Sequence, residues 1–170
     1  MTVRHALVPT TLGELTLSAD GDALTGLYFP AHTHPPTAER LGEQVDHGRD
    51  ALLSAAAAQL EEYLAGKRRE FDLPLRPGGD AFSEKVWARL RAIDYGDTVT
   101  YGDLARELGN RHLAQRVGWS VGHNPISIII PCHRVLGADG SLTGFAGGLA
   151  RKRRLLALEE PDAEQAGRLF

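Results

Sequence analysis

Ile128-Ile129-Ile130-Pro131-Cys132-His133-Arg134-Val135 contains the only cysteine in the chain, set after a greasy β-branched run and a proline and directly before a histidine. A run of isoleucines favours a strand, and Pro131 ends it by removing a ladder donor and fixing φ. The stretch therefore predicts a buried strand that delivers Cys132 to the rim of a cleft. Free cysteines are most often inert small core residues. Here His133 brings a proton acceptor and Arg134 a fixed positive charge, and both favour the thiolate form that makes cysteine a nucleophile.

The rest of the chain bounds what such a thiol serves. With 170 residues there is room for one domain or two small ones, and 42% apolar with 24% charged residues is ordinary for a globular protein. A single cysteine excludes an internal disulfide framework and a cysteine-rich zinc site, and it fits a reducing compartment. No run approaches the roughly 20 apolar residues that span a bilayer, and Met1–His5 lacks the apolar core of a signal peptide. Cytoplasmic residence without membrane contact is the expectation. The net charge of −3 hides an asymmetry. Residues 82–155 carry 11 Lys and Arg against 6 Asp and Glu, whereas the remainder carries 8 against 16. The positive half fits a polyanionic partner, because the electrostatic footprint of such a partner is local.

Working outward from the thiol, Val8–Ala19 and Leu24–Phe29 read as strands around an Asp20-Gly21-Asp22 turn. His32 and His34 read as surface loop residues, since no third ligand accompanies them. Leu52, Leu53, Ala56, Leu60, Tyr63 and Leu64 share one helical face, and Gly66 stops that helix. Phe71–Leu75 reads as another short strand. The turn at Arg76–Asp80 divides the chain into residues 1–78 and 79–170. Beyond it, Ser83–Arg91 is helical. Thr100 caps a helix from Tyr101 to Leu108 with Asp103 as its box partner, and a second helix runs from about His112 to Val121. These two helices form a helix-turn-helix candidate. Gly137–Gly148 is a glycine-rich loop. Arg151-Lys152-Arg153-Arg154 opens a last helix, where phosphate contact competes with simple solvation. The tail from Glu160 to Phe170 is expected to fray.

Asn124-Pro125, Pro131-Cys132-His133-Arg134-Val135, Gly144 to Gly148 and Leu155-Leu156-Ala157-Leu158-Glu159 together resemble the O6-alkylguanine-DNA alkyltransferases. The resemblance reaches back through Tyr95-Gly96, Thr100–Ala105 and Val86-Trp87, and covers nearly the whole chain. It implies an α/β fold: an RNase H-like N-terminal antiparallel sheet with a helix, then a mostly helical, winged-helix-like C-terminal domain containing the helix-turn-helix. It implies direct, irreversible transfer of an alkyl group from guanine O6 to Cys132, with no cofactor and no metal. The zinc that some relatives bind near the N-terminus is not expected, because its cysteines are missing.

The same resemblance assigns roles. His133 would act as base through a bridging water, and Glu159 would orient it. Tyr101 would donate a hydrogen bond as guanine leaves, and Asn124 would tie the helix-turn-helix to the active-site strand. The implied partner is double-stranded DNA containing O6-alkylguanine, entered from the minor groove with the base flipped out. Ala114, Gln115, Arg116, Arg134, Phe145, Gly147 and Lys152 are the expected DNA-facing residues. Gln115 stands where the family places an intercalating arginine, with Arg116 one residue later. Phe145 stands where a tyrosine is usual, and Ala146 where a serine is common. The protein is expected to act as a monomer, with clustering on DNA left open. The rival reading is an alkyltransferase-like damage sensor without transfer activity, which replaces the cysteine, and Cys132 argues against it. A Cys-His hydrolase would need an oxyanion hole that nothing in the sequence requires.

Overall fold

The computed structural model describes residues 3–160. The expected fraying of the tail falls almost wholly outside them. The N-terminal half is built on a sheet in which β1 (Val3–Thr10), β2 (Gly13–Asp20) and β3 (Ala23–Tyr28) form an antiparallel meander. The Val8–Ala19 stretch is therefore not one strand. It is broken by a tight turn whose register pairs Thr10 with Gly13. Leu12 in that turn is buried, and Gly13 adopts a φ of 110°. An apolar residue in the turn and a φ open mainly to glycine explain why the break is hard to read from alternation. After α1 (Ala38–Leu41), the two-residue β4 (Glu43–Gln44) pairs parallel with β1, giving the order β3-β2-β1-β4.

Helix α2 (Ala51–Leu64) packs on this sheet through Leu53, Ala56, Leu60 and Tyr63. Asp50 caps it by accepting the Leu53 N–H, and the same carboxylate pairs with Arg4 on β1. The expected strand at Phe71–Leu75 reduces to one bridge, Leu75 to Leu24.

The outer edge of β3 is where the two halves join. Leu24 donates to the Pro74 carbonyl and accepts from Arg76, while Leu27 donates to the Pro125 carbonyl. Ile126 bridges Leu27 in parallel sense. One contiguous core then runs from Leu15, Leu17 and Leu27 through Val86 and Leu90 to Ile126, Ile130 and Leu155. Both segments thus cover an edge that would otherwise expose unpaired backbone groups.

The C-terminal half is mostly helical, as expected. Helix α3 (Ala81–Arg91) is capped by Asp80 and buries Val86, Trp87 and Leu90. Asp94–Asp97 turns, and the short β5 (Val99–Thr100) leads into α4 (Tyr101–Glu107), which begins with the Thr100–Asp103 capping box. A single 3-10 turn, Arg111–Leu113, precedes α5 (Ala114–Gly122). Trp87 Nε1 donates to the Ser120 carbonyl, and the Ser83 and Ser120 hydroxyls bond at 2.8 Å, which fixes α5 against α3. Strand β6 (Val135–Leu136) pairs parallel with β5, tying the residues after the cysteine to the start of the helix-turn-helix. Helix α6 (Leu149–Glu159) closes the fold.

The isoleucine run is not a strand. Only Ile126 pairs with a neighbour, and residues 127–130 turn tightly. Asn124 explains this locally. Its side-chain amide donates to the Ile130 carbonyl and its oxygen accepts the Ile126 N–H, so one buried side chain clamps both ends of the turn. Ile128 is held at a φ of 72°, a left-handed conformation that a β-branched residue adopts only when its surroundings impose it. All the isoleucine side chains are still buried. Apolar content was legible, and backbone conformation was not.

Candidate active site

Cys132 opens a single 3-10 turn, Cys132–Arg134, with the whole turn buried. The thiol does not sit in a stabilised thiolate environment. Burial pushes its pKa up, and the Asn124 side chain and the Lys152 charge only partly oppose that. The sequence had pointed to a thiol activated at rest, and the structure holds a neutral one.

The neighbouring imidazole is organised by a buried carboxylate. His133 Nε2 lies 2.8 Å from Glu159 Oε2, and its Nδ1 is buried with no hydrogen-bond partner among the described residues. With Nε2–H directed at the carboxylate, Nδ1 carries the lone pair. Burial lowers the His133 pKa, and the Arg134 and Lys152 charges add to that, whereas Glu159 opposes it. The ring therefore rests neutral with a free basic nitrogen.

Glu159 is the hub. Burial alone would raise its pKa, but hydrogen bonds from His133, Arg134 and Tyr63 hold it well below the usual carboxylate range. Arg134 binds it in a fork, Nε to Oε1 at 2.8 Å and Nη2 to Oε2 at 2.9 Å, and its Nη1 donates to the Ile93 carbonyl. Tyr63, reaching across from α2, donates its hydroxyl to Oε2 at 2.5 Å. Sequence reasoning missed this contact, because Tyr63 counts there only as part of the apolar face of α2. A signal was available: a buried tyrosine hydroxyl normally finds a partner.

Arg134 and Lys152 need correction as DNA-facing residues, since both turn inward. Lys152 is fully buried, and its ammonium donates to the Val135 and Thr143 carbonyls at 2.7 and 2.8 Å. Its pKa falls to about 8 because burial disfavours the charge, with Cys132 opposing. Of the other cations opening α6, Arg151 donates to the Leu12 carbonyl and Arg154 to the Thr11 carbonyl, so they fasten this helix to the β1–β2 turn. Gly147 is also buried, and a β-carbon there would approach the Phe29 ring to 2.5 Å. Phe145 is half-buried with its ring 5.4 Å from that of Phe29. Tyr101, at the start of α4, is half-buried. Burial raises its phenol pKa first, Thr143 lowers it, and the neighbouring Cys132 raises it.

On the helix-turn-helix, Ala114 is half-buried at the first position of α5, and Gln115 is exposed. Arg116 lies over the Phe82 ring at 4.3 Å, so it is held back toward α3. The exposed face that Gln115 shares at i, i+4 is completed by Trp119, 55% exposed and stacked on His123 at 3.9 Å, which in turn stacks on His34 at 3.8 Å. His32 is not a surface residue. It is buried, its Nδ1 accepts the Phe29 N–H, and burial followed by the charge of His34 lowers its pKa to about 4. Among the described residues no cluster of His, Cys, Asp and Glu could hold a metal ion. No helix among them is long and apolar enough to cross a membrane.

Residues 3–77 match the family model for the ribonuclease-like domain of 6-O-methylguanine DNA methyltransferase, and residues 81–161 match that for its DNA binding domain. A methylated-DNA--protein-cysteine methyltransferase of Mycobacterium bovis is 42% identical over 168 residues, covering 99% of both chains. The chain belongs to the 6-O-methylguanine DNA methyltransferase family. Another member, the methylated-DNA--protein-cysteine methyltransferase of Haemophilus influenzae, is 43% identical over 92% of this chain and 86% of its own. Among solved structures of the family, Mycobacterium tuberculosis OGT in complex with DNA aligns at a TM-score of 0.83 and 40% identity, covering 92% of each chain. The M. tuberculosis O6-methylguanine methyltransferase aligns at 0.83 and 39% identity over 98% of this chain and 99% of that one. Membership matches the mixed α/β architecture expected from the sequence, with an antiparallel sheet first and a helical part after it.

Proposed function

We propose that this protein repairs DNA by taking the alkyl group of O6-alkylguanine onto Cys132 in a single turnover, as a methylated-DNA--protein-cysteine methyltransferase. The observation that carries this reading is the buried His133, next to the only thiol, bonded through Nε2 to Glu159 and with Nδ1 unpartnered among the described residues. In the reaction the Cys132 proton passes to His133 through a bridging water, and the thiolate attacks the alkyl carbon. The S–C bond forms as the C–O6 bond breaks, and guanine takes the bonding pair. Tyr101 donates a hydrogen bond to the departing base. The imidazolium formed is stabilised by Glu159, so a neutral resting pair becomes a charged one only during transfer. No cofactor is required, and the alkylated sulfur leaves no route back.

DNA is the partner that the family and the positive C-terminal half support. Duplex DNA is approached through the exposed face of α5, with Gln115 as the wedge beside the flipped nucleotide. Arg116 is engaged with Phe82, which favours Gln115 over its neighbour. Phe145 and Tyr101 border the base pocket. Arg134, Lys152 and Gly147 shape the pocket from within and do not touch phosphates.

Incubation with duplex carrying labelled O6-methylguanine tests the reading. One label per protein molecule is expected, and none on Cys132→Ala. Label released as a small molecule, or tight binding without transfer, would favour a hydrolase or a damage sensor instead.

A further inference from the structure

We propose that Tyr63 is a positioning residue for this chemistry: its hydroxyl, delivered from the N-terminal half, holds the Glu159 oxygen that faces His133 and tempers how strongly that carboxylate draws a proton onto the ring. The inference rests on the functional reading above and extends the reacting network across the domain junction.

The geometry is specific. Tyr63 is fully buried, and its hydroxyl lies 2.5 Å from Glu159 Oε2, 96 residues away in sequence. That oxygen also accepts His133 Nε2 and Arg134 Nη2. Tyr63 and His133 therefore compete for the charge on one atom. The ring is fixed by Phe71, 5.3 Å away, and by Tyr95 in an edge contact at 6.2 Å. If filling space were all position 63 had to do, phenylalanine would serve without bringing a hydroxyl into the core. Burial, together with the Glu159 charge, raises the phenol pKa far above any working pH, so Tyr63 stays a donor.

The other charged and titratable groups around this pair are Arg134 and Cys132 on the 3-10 turn, Lys152 on α6, and Tyr95, which carries Arg69 over its ring at 5.0 Å. The cations lower the basicity of His133, and Glu159 alone raises it. A hydrogen bond that withdraws charge from Glu159 therefore keeps His133 from being protonated before the thiol gives up its proton. The same bond makes α2 of the N-terminal half part of the reacting centre, beyond any structural or assembly role.

The experiment compares the parent protein, Tyr63→Phe, and protein with 3-fluorotyrosine at position 63. The readout is the pH profile of Cys132 alkylation by iodoacetamide without DNA, alongside transfer from labelled duplex. Loss of the donor should move the acid limb upward by roughly half a pH unit, and the more acidic fluorophenol should move it downward, as hydrogen bonding to a charged form dictates. In a Glu159→Gln background, Tyr63→Phe should move nothing further, because the two residues act as one unit. Superimposable profiles, or an equal shift in the Glu159→Gln background, would overturn the proposal. The fluorotyrosine arm keeps the fold intact and decides the matter if Tyr63→Phe fails to fold. If the parent takes no label from duplex, the functional reading fails while the iodoacetamide profiles still test Tyr63.

Discussion

His133 and Glu159, 26 residues apart, are joined at 2.8 Å across two elements, and neither side chain has appreciable contact with solvent. The pair cannot be dismantled from one side without stranding the other, because Arg134 uses both carboxylate oxygens as well. Glu159→Gln should therefore lower stability as well as chemistry. Breaking a buried ion pair by removing one partner costs about 3 kcal/mol or more. The expected outcome is an unfolding free energy, from the urea midpoint and slope, lowered by that amount, and transfer slowed by about 100-fold as the orienting charge is lost.

Trp119 offers a spectroscopic handle on DNA contact. The chain has two tryptophans, of which Trp87 is buried and bonded to Ser120 whereas Trp119 is exposed on the face of α5 that carries Gln115. Duplex DNA should quench roughly half of the tryptophan emission, and Trp119→Phe should remove that response. Base stacking on an aromatic side chain is worth about 1–3 kcal/mol, so Trp119→Ala should weaken duplex binding by about tenfold.

Gln115→Arg tests the wedge. A longer cationic side chain at the exposed position next to Ala114 should speed repair in duplex DNA and leave the single-stranded rate unchanged, since only the duplex requires the base to be extruded. Repair rates on matched duplex and single-stranded substrates check this. Equal gains on both would mean that the substitution acts through general charge.

His32 predicts an acid-sensitive fold. Its ring is buried neutral with a pKa of about 4, and in the unfolded chain it titrates near 6.5. The unfolded state therefore binds the extra proton first. Stability is at its full value above about pH 6.5 and declines as pH falls toward 4, by about 2 kcal/mol. His32→Asn, which retains an acceptor for the Phe29 N–H, should flatten this slope in urea titrations run at pH 7, 6, 5 and 4. His133, also lowered by burial, contributes over the same window, and Glu159, depressed in the fold, adds its own loss once pH falls into the ordinary carboxylate range.

Gly147→Ala should cost about 1–3 kcal/mol, as overpacking does, because its β-carbon meets the Phe29 ring. The melting temperature reports it.

The site was legible where chemistry needs rare residue types in a row. Cys132 and His133 stood out in the sequence itself, Glu159 came from the family resemblance, and the structure puts His133 and Glu159 in contact; the Thr100–Asp103 box marked the start of α4 to the residue. Inward-turned cations were not legible, because Lys152 and Arg154 carry the same kind of charge and only tertiary packing decides that one is buried and the other exposed. The isoleucine run misled for a related reason: β-branched residues favour strands, but Asn124 satisfies the backbone locally and a turn results. Tyr63 signalled only that a buried hydroxyl needs a partner, and the identity of that partner was not legible because it lies in the other half of the chain.

The β3 edge has a consequence for how the chain is made. During synthesis the meander emerges first, and Pro74 to Arg76 can occupy the Leu24 end of that edge soon afterwards. The Leu27 end waits for Pro125 to Ser127, some fifty residues later. In that interval the nascent protein carries an open strand edge, the kind of template on which chains pair with one another. Growth temperature and translation rate should therefore govern the yield of folded protein more strongly than its final stability does. A pause before residue 125 is the point of greatest exposure to aggregation.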